Sequence, residues 1–288
     1  MSLNKKIISI SILILFGLPL IVGVIGYQKY KAQETEKNAI KPREEINVTI
    51  IPGWTLRQVA SDWVKKGFVK NENEAYDILG EPTHKYGGLT NGAPDLATVF
   101  PEVSILKEKE KNASYEGFIF PDTYRVYKDA KPKDLLQKIF DNLEQKITPE
   151  MRVEIARQNK SFFEILTMAS IVEKEAPDSS SMAKVADIFW RRFSMKWALQ
   201  SCATVNYITG KTTPAVSLED TQIDSPYNTY KYRGLPPGPI SNPSLTAIKA
   251  VIYPEKNDYW YFLSDNEGNI YYSKTLEQHN TYKARYLK

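Results

Sequence analysis

The chain has 288 residues, 42% of them hydrophobic and 25% charged, with 38 basic against 34 acidic residues for a net charge of +4. This length predicts about two domains, the composition is that of folded protein, and the near balance of charge argues against a dedicated nucleic-acid binder. A single cysteine, Cys202, excludes an internal disulfide framework, and two histidines, His84 and His279, with no H-E-x-x-H argue against a metallohydrolase. Chemistry is left to carboxylates, hydroxyls, amides and aromatics.

Ile7 to Tyr27 is a run of 21 residues without a charge, preceded by Lys5 and Lys6. At ~1.5 Å per residue it spans about one hydrocarbon core. The run exceeds a signal-peptide apolar region, and it exits into Gln28-Lys29-Tyr30-Lys31-Ala32 with no small-x-small cleavage pair. It therefore reads as an uncleaved single-pass anchor over 7–27, with residues 1–6 on the cytoplasmic side of the membrane and the rest on its outer face. Residues 28–45 read as a polar linker.

Ile46-Asn47-Val48-Thr49-Ile50 alternates as a half-buried strand does. Pro52-Gly53 turns the chain, and Thr55 with Gln58 forms a capping box before a helix whose stripe is Leu56, Val59, Ala60, Trp63 and Val64, stopped at Gly67. A second short helix is predicted over Glu72 to Leu79. Strand–helix–helix of this size fits a LysM-like carbohydrate-binding unit or a generic packing unit equally well, and 46–113 is taken as this subdomain with its connector. Downstream, Leu135, Leu136, Ile139, Phe140 and Leu143 mark a helix. Another covers 162–176, ended by Pro177. Ser180 or Ser181 is expected to cap a third, with Met182, Val185, Ala186, Phe189, Trp190 and Phe193 on its face. Asn242-Pro243 reads as a cap and first-turn proline before Ala247, Ile248 and Val251. Tyr259–Ser264 and Asn269–Ser273 read as a hairpin, and Thr275 with Gln278 caps a last helix.

In the predicted helix over 162–176, Phe162, Ile165, Leu166, Ala169 and Val172 share one face, and Glu173 continues it. A carboxyl at the end of an apolar stripe is partly desolvated, which favours its protonated form, the form a general acid at a glycosidic bond needs. The alternative is a carboxylate that only ends the helix and pairs with Lys174 or an arginine. Glu175 lies about 200° around the helix and does not face Glu173. Ten of the eighteen tyrosines fall between Tyr227 and Tyr286, which suits sugar binding or, as readily, hairpin and core packing.

Five motifs occur in one order: Glu116-Gly-Phe-Ile-Phe-Pro-Asp-Thr-Tyr124, Ala169-Ser-Ile-Val-Glu-Lys-Glu175, Leu199-Gln-Ser201 with Thr204-Val205, Ser225-Pro-Tyr-Asn-Thr-Tyr230, and Gly234-Leu-Pro-Pro-Gly-Pro-Ile-Ser-Asn-Pro243. Together with the N-terminal anchor and Glu277-Gln-His-Asn280, they resemble the endolytic murein transglycosylases (MltG or YceG-like) over roughly residues 46–288. The resemblance implies a membrane-anchored α+β enzyme with a LysM-like subdomain and a catalytic domain over 114–288. It implies Glu173 as the acid/base, no metal or organic cofactor, peptidoglycan glycan strands as substrate, and penicillin-binding proteins or other wall synthases as candidate partners. Gln200, Ser201, Tyr227, Asn228 and Asn242 would hold glycan hydroxyls and acetamides, with Glu116 and Tyr124 bracing the site. One departure stands out: Cys202-Ala203 occupies the place of the family's usual Asp-Pro. The chemistry so implied is not hydrolysis but closure of a 1,6-anhydro ring on N-acetylmuramic acid, which ends strand elongation. A muramidase of the same fold, or a non-catalytic glycan-binding scaffold, are the alternatives.

Overall fold

The structure, a computed structural model, describes residues 24–31, 33, 43–82, 95–111, 113–211, 213, 216–265 and 267–287. It divides into two units, Met1–Glu44 and Glu45–Lys288. In the first, residues 24–31 are helical, so 28–31 are helix where a linker was expected. Most of the expected anchor, residues 7–23, lies outside the described residues. Among the described residues no helix is long and apolar enough to cross a membrane.

The second unit opens with β1 (Glu45–Thr49), whose alternation buries Val48. After the Pro52-Gly53 turn comes α1 (Leu56–Lys66), where the Gln58 carboxamide accepts the Thr55 N–H at 2.9 Å. Leu56, Val59, Ala60 and Trp63 are buried along its stripe, and Gly67 ends it at φ +76°. The α2 helix (Glu72–Leu79) is capped by Asn71, which accepts the Glu74 N–H at 3.0 Å. A single-turn helix α3 (Leu96–Val99) and a 3₁₀ turn (Ser104–Glu108) follow. The chain then returns as β2 (Thr123–Tyr127), antiparallel to β1 with Val48 opposite Tyr124.

The remaining helices are α4 (Pro132–Lys146), α5 (Pro149–Arg157), α6 (Phe162–Glu175), α7 (Ser179–Ser194), α8 (Cys202–Thr209) and α9 (Leu245–Ile252). A hairpin of β3 (Tyr261–Ser264) and β4 (Ile270–Ser273) and the helix α10 (Leu276–Tyr286) close the chain. The architecture is mixed α+β. Its centre is α6, buried at every position from Ile165 to Val172 because α5, α7, α8, α9 and the 3₁₀ turn all pack on it. The one-sided stripe read from the sequence is too narrow. A helix that is apolar on all sides belongs in the middle of a core.

Two caps differ from expectation. Asp178, not Ser180 or Ser181, caps α7, its carboxylate accepting the N–H groups of both serines at 3.0 and 3.1 Å. Ser244, not Asn242, caps α9, its hydroxyl accepting the Ala247 N–H at 3.2 Å. Asn242 is buried one turn earlier and bonded elsewhere. The tyrosine-rich end is largely packing: Tyr271 stacks on Tyr286 at 3.8 Å and Tyr259 on Tyr272 at 5.2 Å.

Candidate active site

Glu173 sits where α6 leaves the core, half-buried, at the end of the buried run that closes with Val172. Its Oε2 accepts the Ser244 N–H at 2.9 Å and the Ser244 hydroxyl at 2.6 Å. The carboxylate is thereby fixed at the N-terminus of α9. Its Oε1 makes no hydrogen bond among the described residues.

Buried polar residues one and two turns away bring Ser244 to this point. Ser170, wholly buried in α6, accepts the Ile240 N–H at 2.9 Å, and its carbonyl accepts the Ser241 hydroxyl at 3.0 Å. The next residue, Asn242, is also wholly buried. It accepts the Ile119 N–H at 3.0 Å, and both its side-chain and backbone N–H groups donate to the Trp54 carbonyl, at 2.8 and 2.7 Å. Its own carbonyl accepts the Gly53 N–H at 2.8 Å. The turn between β1 and α1 is in this way held against the Ile240–Ser244 segment beside α6. A methyl group added at Gly53 would stand 3.4 Å from Lys174 Cδ and 3.7 Å from Glu173 Cγ.

Glu116 anchors the same region from below. Its carboxylate accepts the Leu56 N–H at 2.9 Å and the Tyr207 hydroxyl at 3.1 Å, so it also caps α1. Burial pushes its pKa up to about 8, against the smaller opposing effects of the Leu56 and Tyr207 hydrogen bonds and the Arg57 charge. Folding thus holds this proton more tightly than the unfolded chain, whose ordinary value is 4.5. That contribution to stability is complete below pH 4.5 and is lost as pH rises toward 8. The thermal midpoint, followed by circular dichroism, is expected to fall over this range in the parent chain and to fall less steeply in Glu116→Gln, which keeps an acceptor for Leu56. Identical slopes would assign the pH dependence to other groups.

Glu175 points to the other flank of α6. It accepts the Ser201 hydroxyl in a short hydrogen bond and the Ala203 N–H, and so caps α8 from outside. Burial raises its pKa, more than these two bonds and the neighbouring Arg192 charge lower it. Desolvation of a carboxyl, argued from the sequence for the end of the stripe, is therefore found at Glu116 and Glu175. Arg192 itself is bonded to the Leu199 carbonyl at 2.6 Å and the Trp260 carbonyl at 2.7 Å. Cys202, first residue of α8, lies with its Sγ 3.1 Å from the Tyr230 hydroxyl.

Of the residues singled out from the motifs, only Glu173 and Gln200 offer side-chain atoms outward, and Gln200 is held in a left-handed conformation at φ +54°. Ser201 and Asn242 are buried and bonded as described. Asn228, wholly buried, donates to the Thr221 and Ile223 carbonyls and accepts the Tyr230 N–H, closing its own loop. Tyr227 packs its ring against Tyr207 at 5.3 Å. Tyr124 donates to the Phe120 carbonyl at 2.7 Å and braces β2, some way along the chain from Glu173. Ser244, Ser170, Gly53 and Trp54 were missed. A serine inside an otherwise apolar helix was the available signal for Ser170, and a serine directly after Asn-Pro the signal for Ser244.

The sequence model of the YceG-like family matches residues 27–285. The chain belongs to that family. YceG-like relatives include an endolytic murein transglycosylase of Bacillus subtilis, 36% identical over 195 residues, which cover 67% of this chain and 54% of that protein. An endolytic murein transglycosylase of Streptococcus pneumoniae is 35% identical over 258 residues, 86% of this chain and 46% of that protein. The chain spans about half the length of these curated relatives. The crystal structure of a YceG-like protein from Listeria monocytogenes superposes with a TM-score of 0.68 at 30% identity, covering 88% of this chain and 80% of that one.

Proposed function

We propose that the chain is a lytic transglycosylase that cleaves peptidoglycan glycan strands internally, with Glu173 as its one acid/base. The observation that carries this is the asymmetry of Glu173: Oε2 is fixed by two donors from Ser244, while Oε1 is left to a substrate. The names of the relatives support the substrate class. In the first half-reaction the protonated carboxyl gives its proton to the oxygen linking N-acetylmuramic acid to N-acetylglucosamine, and that C–O bond breaks. In the second, the carboxylate takes the proton of the muramoyl C6 hydroxyl, whose oxygen bonds to C1 and closes the 1,6-anhydro ring. The proton returns to Glu173, and no water is consumed. An internal hydroxyl needs no second carboxylate, because its effective concentration, roughly 10⁵–10⁸ M in well-oriented cases, replaces the activation of a solvent molecule. Gln200 is the residue best exposed to hold a sugar substituent, with Ser201, Asn228, Asn242, Glu116, Tyr227 and Tyr124 setting the walls.

The uncharged run Ile7–Tyr27 supports a single-pass anchor with the catalytic unit on the outer face of the cytoplasmic membrane, next to wall synthases. The run β1–α1–α2 within 46–113 supports a LysM-like reading of the N-terminal subdomain, with β2 pairing to β1 only after α3 and the 3₁₀ turn. The test is the product. The full chain in detergent, given uncrosslinked strands, is expected to release internal fragments ending in 1,6-anhydro-N-acetylmuramic acid, lighter by one water than free reducing ends on mass spectrometry. Reducing ends would make it a muramidase, and no cleavage by a folded chain would make it a glycan-binding scaffold.

A further inference from the structure

A groove of about 600 Å³ opens beside the C-terminal end of α7. Its lining contains four cations and no carboxylate. Two of the cations are engaged: Arg192 on backbone carbonyls, and Lys231 with Asp224 at 2.8 Å. The other two, Lys196 and Arg233, are exposed, and their side chains make no hydrogen bond or ion pair among the described residues. Between them lies an aromatic floor of Trp197, Tyr230 and Tyr261. Trp197 remains 41% exposed, yet its ring packs at a tilt of 40° against Trp260, centroids 5.0 Å apart, with Arg191 over the Trp260 ring at 4.5 Å.

The backbone here is strained. Among the described residues three non-glycines have positive φ, and two of them, Lys196 at +58° and Gln200 at +54°, line this groove. Such conformations cost energy and persist where the surroundings impose them, often at ligand sites. Hydrogen bonds tie the groove's wall to the Glu175 flank of α6. Tyr230 reaches Cys202, the next residue Ala203 and the preceding Ser201 both bond Glu175, and Gln200 forms part of the wall.

We propose that this groove binds the carboxylates of the peptide stem carried by muramic acid, so that strands bearing stems are preferred to stripped glycan. The inference rests on the function proposed above. Separated cations on long side chains over an aromatic floor match carboxylates spaced along a short peptide with apolar atoms between them.

The experiment uses the full chain in detergent, uncrosslinked strands with stems intact or removed by an amidase, and the double variant Lys196→Gln/Arg233→Gln. The parent is expected to show a KM about fivefold lower for stem-bearing strands, the size set by two partly exposed ion pairs. The double variant is expected to lose most of that preference with kcat retained. A preference that survives in the variant, or an equal loss on both strands, overturns the proposal. A second readout does not depend on cleavage: tryptophan fluorescence is titrated with a soluble muramyl pentapeptide and, separately, with inorganic pyrophosphate. A saturable response to the peptide, weakened in the variant, is expected. If the parent binds the peptide so and cleaves neither strand, the groove assignment stands and the lyase reading falls. No saturable response, or one to pyrophosphate alone, overturns the groove assignment.

Discussion

Glu173→Gln is expected to leave the chain folded and to reduce glycan cleavage by about 10²–10⁴-fold, the usual worth of a positioned acid/base. The amide oxygen can still accept from Ser244, so the link between α6 and α9 survives, but the amide cannot give and recover a proton. Glu175→Gln is the informative partner. Its carbonyl can accept the Ser201 hydroxyl and the Ala203 N–H as the carboxyl does, so most activity should remain. Release of soluble fragments from strands, measured beside the thermal midpoint of each variant, separates the two. A silent Glu175→Gln and a dead, folded Glu173→Gln support the assignment; the reverse pattern would move the chemistry to the other flank of α6.

Gly117→Ala is expected to be strongly destabilising, because among the described glycines an added Cβ meets its closest contacts at this one. Gly117 has φ +87°, and a Cβ there would lie 2.7 Å from two Pro239 ring carbons and 3.1 Å from Leu166 Cδ2. Left-handed strain and overpacking together should cost about 2–4 kcal/mol. Because Pro239 directly precedes the Ile240–Ser244 segment, activity should fall beyond what the lost stability explains. Gly234→Ala is the control: its φ is +93°, but nothing lies within 4 Å of the added carbon. It should show only the backbone cost, about 1–2 kcal/mol. Chemical unfolding of both variants measures the difference, and equal losses would refute the packing argument.

Periodicity found the elements that are long and one-sided. The stripe of α1, the extent of α2, the apolar face of α4 and, to within two residues, the hairpin at Tyr261–Ser273 all followed from spacing and turn residues. It failed where the signal was shorter than a turn or two. The α3 helix has four residues, and α8 begins at the Cys202-Ala203 departure with no side-chain cap of its own, since Glu175 from another helix serves it. The α6 helix was found, but its burial on all sides was not, because an amphipathic template looks for one face. Glu173 was singled out twice in the sequence, from its place after the stripe and from its motif. The residues that hold it were not, because Ser244 and Gly53 reach it from 71 and 120 residues away in sequence. Asn242 shows the limit most clearly. Its chemistry suggested a helix cap or a sugar contact, and only the three-dimensional structure reveals a wholly buried side chain tying the Trp54 carbonyl to the Ile119 N–H.

The Asn242 clasp also bears on when the molecule becomes competent. The bond from Asn242 to the Trp54 carbonyl joins residues 188 apart, and β1 finds β2 only after Tyr127 exists. Closing loops of that length is entropically costly, and contacts so distant in sequence form late and slowly. In a chain made N-terminus first, the early strand and helices wait for their partners, and Glu173 waits for Ser244 before its carboxylate has a fixed direction. A chain made only as far as α6 therefore holds Glu173 without the Ser244 donors that orient it. On the function proposed above, the acid/base carboxylate has no fixed direction until Ser244, 71 residues further along the chain, is in place.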